Sequence, residues 1–226
     1  LIVLAETRTD LIDSWSETLE EDTPNYFLFN IQEYDLDNTF KYFQSEAALN
    51  PEFTPLIRGR LLSAKRFNSD RLSSENLMER EANLTWSESL PKSNSISKGK
   101  WWSKQNTKSE VSVDREVAES MNLNIGDELL FSAGGSNFNA TVTSFREIEW
   151  ESFSPNFFFI LSPSLGKKLP NSYITSIKIP SDMNIMKKFT QQFPTISSVD
   201  LGAIILQIRN TISSASLAVQ YIFLLT

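Results

Sequence analysis

The sequence predicts an α+β fold. Three observations lead there: an opening strand–helix–strand unit over 26–65, a glycine-turned hairpin inside a β-rich stretch that begins at Val111, and a closing helix after Asp200. Apolar residues spaced by 3.6 mark the helices, and alternating or short continuous apolar runs mark the strands.

The first helix is expected over Asp10–Leu19, where Leu11, Ile12, Trp15 and Leu19 share one face and Pro24 ends the pattern. Glu17, Glu20, Glu21 and Asp22 crowd its C-terminal end, where the helix dipole disfavours anions; they read as a solvated face or as a cation site. Tyr26–Gln32 is a short aromatic-rich apolar run, expected as a buried strand. Asp35 is placed to N-cap a helix carrying Leu36, Phe40, Phe43 and Ala47, which Asn50-Pro51 breaks. Phe53–Lys65 then reads as a strand with an irregularity at Gly59.

From Asn68 to Lys108 the composition turns to Ser, Asn and Lys, with Trp86, Trp101 and Trp102 as the main aromatics. Lys92–Lys108 holds five Lys and no acid. Two readings stand: a basic, Trp-bearing loop that touches lipid headgroups or a partner, and a solvated loop with two Trp tucked beneath it. Val111–Val113 opens the β-rich stretch, and Asp114–Asn122 is a short helix. Glu128–Ser132 and Phe138–Arg146 are strands joined by a turn at Gly134-Gly135-Ser136-Asn137. Asn156–Leu161 is a buried strand, and Ser172–Ile179 alternates with Tyr173, Thr175, Ile177 and Ile179 on one face. Ser181–Gln192 is helical up to Pro194, and Thr195–Val199 is a last short strand. Asp200 caps a helix striped by Leu201, Ile204, Ile205, Ile208 and Ile212. Beyond Ala215 that helix is apolar nearly all round, and it would run roughly 39 Å. A helix that changes in this way is leaving a watery surface for a buried or lipid environment.

Leu1–Ala5 and Leu217–Leu225 are apolar runs shorter than the ~20 residues that a membrane span needs. They read as the ends of two spans or as terminal helices packed on the core.

Composition narrows the chemistry. A net charge of -7 and a pI near 4.8 oppose binding to phosphate backbones, so no nucleic-acid partner is expected. The chain has no Cys and no His, which removes disulfides, thiolate chemistry, imidazole bases and ordinary zinc sites. No phosphate-cradling or dinucleotide-binding glycine motif is present. Asp10 with Asp13, the Glu147-Glu149-Glu151 alternation, and the pairs Ser97-Lys98 and Ser103-Lys104 are the remaining catalytic options. Alternating Glu on a strand edge more commonly protects against edge pairing. The expectation is therefore a chain that is not an enzyme, with no catalytic residue, cofactor or metal. Trp150, Phe153, Phe157 and Phe159 are the candidate ligand-binding residues, as the lining of a hydrophobic groove; the alternative is that these rings are core.

A set of strings along the chain carries a family resemblance. They are Arg8–Trp15, Pro24–Ile31, Asn83–Trp86, Glu110–Val113, Ile125–Phe131, Val142–Arg146, Trp150–Ile160, Gln192–Ile196 and Asp200–Ile205. In order and spacing the sequence resembles the FtsX/MacB-like permeases of ABC transporters, those of the YbbP type, and within them the second of two extracytoplasmic domains. The resemblance implies a mixed α/β, porter-like subdomain next to the membrane over 24–67 and 146–200. It implies an inserted β-rich subdomain over 68–145. Long terminal helices, 1–23 and 201–226, would leave and enter transmembrane spans. It implies a place on the periplasmic side of the bacterial inner membrane, a cytoplasmic ABC ATPase partner, contact with the other extracytoplasmic domain of the permease, and a lipid-like cargo or a periplasmic lysophospholipase. The implied function is to couple ATP hydrolysis to export or extraction of a hydrophobic cargo; the alternative is a passive module binding a hydrophobic ligand or a partner protein.

Overall fold

The computed structural model describes residues 23–66, 69–72, 81–103, 105, 107–152, 154–180, 184–204 and 207. The expected helix at Asp10–Leu19, its acidic cluster, both apolar ends, the helix beyond Ile204 and the start of the Ser181–Gln192 helix lie outside the described residues.

The first layer is an open sheet with helices on one face. Strand β1 (Tyr26–Ile31) lies between β10 (Ser172–Ile177) and β11 (Ser197–Asp200), antiparallel to both. β10 pairs in turn with the start of β2 (Thr54–Arg66). Side chains alternate across a strand, so Tyr26 and Leu28 face one way and Phe27 and Phe29 the other. A register shift between Leu28 and Ile31, with Asn30 at φ 63°, returns Ile31 to the side of Leu28. That side is covered by α1 (Leu36–Ala47) and α4 (Ile185–Gln192). Leu28, Ile31, Phe43, Ile177, Ile179 and Phe189 form the core there. Phe189 stacks at 4.8 Å from Phe43 and 4.9 Å from Phe193.

The second layer is a closed barrel. β2 pairs with β4 (Glu81–Trp86), β4 with β9 (Phe159–Leu161), and β9 with β6 (Glu110–Asp114). β6 pairs with β8 (Ser136–Ile148), β8 with β7 (Glu128–Ala133), and β7 returns to β2. Six strands thus close a ring, and closure removes free edges. Ile57, Leu84, Val111, Val113, Leu129, Phe131, Val142 and Leu161 fill its interior. The barrel draws strands from 57–65 and 159–161 as well as from the 81–148 stretch, and β2 belongs to both layers. Short helices α2 (Arg115–Ser120) and α3 (Pro163–Gly166) pack on its outside, with Asp114 capping α2 by accepting from Val117 N at 3.1 Å.

Four expectations change. Asp35 occupies the N-cap position of α1, yet its side chain makes no capping bond, because a 3-10 turn over Glu33–Asp35 already places it in helical conformation. Gly59 is no irregularity: it pairs in register with Ala82 on one side and Ala133 on the other. An added Cβ there would lie 3.0 Å from both Leu84 Cδ1 and Ser132 O, so glycine serves the close approach of two neighbouring strands. The Lys92–Lys108 stretch is not all loop, since β5 (Asn94–Gly99) pairs with β8 at the end of the sheet. Its polar sequence hides a strand held by backbone hydrogen bonds rather than by an apolar face. Trp102 is buried below this stretch and donates to Ser87 O at 2.9 Å, with the Trp101 ring at 4.0 Å from its own. Finally, Glu147 does not guard an edge, because β5 pairs beside it and Arg115 forms an ion pair with it at 3.0 Å.

Candidate functional site

The face of the open sheet opposite the helices is apolar too. Phe27, Phe29, Leu56 and Ile174 stand on it, half-buried. Facing them are Val117 and Met121 at α2 and the stretch from Trp150 to Phe159. Between the two walls lies a groove of about 780 Å³. This volume and its mainly apolar lining match the ordinary character of sites for drug-sized or lipid-like ligands.

Three of the four candidate residues come together here. Trp150 sits on a 3-10 turn after β8 and is 52% exposed. Phe157 and Phe159 also line the groove but are nearly buried, and the Phe159 ring meets Phe131 edge-on at 5.4 Å inside the barrel. Phe153 lies outside the described residues. The open aromatic wall is instead Trp150 with Phe158, which is 48% exposed and 5.4 Å from the Trp150 ring. Reading Phe157 and Phe159 as one face passed over Phe158 between them. Phe27, Phe29, Leu56, Ile174, Val117 and Met121 were also missed as lining. The available signal was that β1 is apolar on both faces, which demands a cover for each.

Polar groups are sparse in the groove: Glu81, Asn83, Ser154 and Asn156 lie at its lining. Among the described residues no group of three or more Asp or Glu is arranged to hold a metal ion. Behind the wall lies the guanidinium of Arg146, fully buried. Burial pushes its pKa down to about 10, with Asp114 pulling the other way, so it is charged at neutral pH. Where β1 begins, Leu201 N donates to Asn25 O at 2.8 Å, and the Tyr26 hydroxyl donates to Asp200 Oδ2 at 2.9 Å. Burial and the Asp200 carboxylate both raise the Tyr26 pKa.

No family model matches the sequence. The chain is 36% identical over 209 residues to an uncharacterized ABC transporter permease, YbbP, of Escherichia coli K12. That match covers 92% of this chain and 25% of the permease, so the chain spans about a quarter of that relative's length. A crystal structure of a domain of a permease protein from Porphyromonas gingivalis superposes on 79% of this chain and 90% of its own, with a TM-score of 0.38 and 9% identity. Among the described residues no helix is long and apolar enough to cross a membrane. Nearly end to end, the chain is similar to one segment of an ABC transporter permease.

Proposed function

We propose that this chain is an extracytoplasmic domain of an ABC transporter permease, the second of two, held on the periplasmic side of the bacterial inner membrane between two spans. In this reading it is not catalytic. It couples ATP hydrolysis by a cytoplasmic ATPase to export or extraction of a hydrophobic, lipid-like cargo. The α/β part, over 24–67 and 146–200, stands toward the membrane, and the β-rich part, over 68–145, stands away from it.

The observation that carries the reading is the junction at Asn25 and Leu201. The two residues are hydrogen-bonded neighbours, so the beginning of β1 and the end of β11 stand side by side. Neighbouring positions at residues 25 and 201 suit a domain that returns to the membrane face it came from. β1 and β2 both run away from this point, so a tilt applied there is carried along β2 into the barrel.

A passive hydrophobic-ligand module is the second reading, and the groove favours it. The two differ in whether ligand and ATPase are coupled.

The chain has no Cys, so an introduced thiol is the single one within it, read against the parent permease without the substitution. Lys187→Cys, at an exposed position on α4, is placed in the parent permease and treated with a membrane-impermeant maleimide on intact spheroplasts. Labelling without lysis is expected, and labelling only after lysis overturns the placement. ATPase turnover of the permease–ATPase complex, with and without Trp150→Ala, then separates the readings. Unchanged turnover and unchanged cargo stimulation would leave the passive module.

A further inference from the structure

We infer that Arg146 is the positioning residue of the aromatic wall, holding the 156–158 segment in the place that makes the groove; this rests on the reading of the groove as an apolar-ligand site. The segment enters β9 from a stretch with no strand partner, so the ladder does not fix it. Its carbonyls are fixed by donors from behind. Arg146 Nη2 donates to Phe157 O at 2.8 Å and to Phe158 O at 3.1 Å. Asp114 N donates to the same Phe158 O at 2.8 Å. Arg146 Nε donates to Ser112 Oγ at 3.0 Å, and Nη1 donates to Asn94 Oδ1.

Asn94 extends the hold. Its Nδ2 donates to Asn156 Oδ1 at 2.9 Å, and Ser93 Oγ donates to the same oxygen at 3.0 Å. Phe157 thus hangs from the guanidinium, Phe158 from the guanidinium and Asp114 N together, and Asn156 from the guanidinium's own acceptor. All three residues line the groove.

Among the described residues Arg146 has no carboxylate within ion-pair distance, Asp114 acting on it only from farther off, although it is wholly buried. A buried charge whose hydrogen-bond acceptors are all neutral is costly, and a hydrophobic residue would fill the space at less expense. The planar fork offers what an apolar residue cannot: donors in fixed directions toward three different backbone and side-chain elements. Those directions set where the Phe158 ring stands relative to Trp150.

The test compares the wild-type chain with Arg146→Lys, which keeps the charge and loses the fork, and with Phe43→Leu, a destabilising control in the α1–α4 core away from the groove. Two quantities are read: hydrogen exchange of a peptide spanning 154–161 against one spanning 26–47, and the Kd for the apolar dye 1-N-phenylnaphthylamine. For Arg146→Lys we expect exchange over 154–161 to quicken and the dye Kd to weaken, each about tenfold, with 26–47 unchanged. A dye Kd within twofold of wild type overturns the inference, as does equal weakening by Phe43→Leu. If Arg146→Lys does not fold, Asn94→Ser, which cuts the link from Arg146 to Asn156, is judged by the same criteria. A wild-type chain that binds no dye sinks the groove reading instead, and the exchange pattern alone then decides the role of Arg146.

Discussion

Truncating Trp150 separates a binding wall from a structural one. The residue is 52% exposed, and among the described residues its one ring contact is Phe158 at 5.4 Å. The half of the ring that is already buried, about 100 Å², is worth about 2.5 kcal/mol to the fold at ~25 cal/mol per Å². Binding should suffer by a similar amount. A Trp presents on the order of 200 Å², so about 100 Å² of this one is free for a ligand to cover. At ~25 cal/mol per Å² that area is worth about 2.5 kcal/mol, or roughly 60-fold in affinity. The assay is a titration of 1-N-phenylnaphthylamine into wild type, Trp150→Ala and Trp150→Phe, followed by dye emission, with urea melts in parallel. Trp150→Ala should lose most of the affinity while keeping a cooperative urea transition at a lowered midpoint, and Trp150→Phe should recover much of both losses. Affinity within twofold of wild type for Trp150→Ala would refute the reasoning. So would a loss that merely follows a collapse of the urea transition, since the ring would then be core.

Three further outcomes follow from the packing and the charges. Gly166→Ala would place a Cβ 2.1 Å from Trp86 Cβ and 2.4 Å from its Cγ, atoms near the backbone that cannot swing away. A loss of about 3 kcal/mol in urea unfolding is expected, and a change below about 0.5 kcal/mol would count against the close packing of α3 on β4. Phe189→Ala removes the centre of an aromatic cluster with Tyr42, Phe43 and Phe193, and should cost about 3–5 kcal/mol while leaving dye affinity unchanged in the folded fraction. Weakened dye affinity there would mean that the two faces of the open sheet are not independent. The Tyr26 phenol is held neutral by burial and by Asp200, so its folded pKa lies above its unfolded value of 10.0. The stability it contributes is present below pH 10 and is lost as pH rises through the folded pKa. Tyr26→Phe should therefore flatten part of the alkaline fall in melting temperature, and an unchanged alkaline profile would refute that assignment.

Much of the open sheet was legible from periodicity. β1, α1, β10 and β11 stand within a few residues of their expected places, because each carries a local apolar pattern of its own. The Gly134-Gly135 turn was equally plain, since both residues take positive φ, 58° and 80°, which glycine adopts without strain. β5 was not legible, because Asn94–Gly99 is a strand by virtue of its partner β8 rather than of its own side chains. Phe158 was missed for a related reason: periodicity sorts a strand into faces, but 156–158 is held by Arg146 and follows no strand period.

By itself the sequence determined the α+β character, the apolar faces of the individual strands and helices, and the absence of imidazole and thiol chemistry. Only the tertiary structure decided that the β-rich stretch closes into a barrel, because closure depends on pairings such as Gly59 with Ala133 and Leu84 with Phe159. Such pairings join residues far apart in the chain, and no local pattern encodes their register. The groove has the same origin. Phe27 and Ile174 on one wall, and Val117, Trp150 and Phe158 on the other, become a site only when the open sheet and the barrel meet through the shared strand β2.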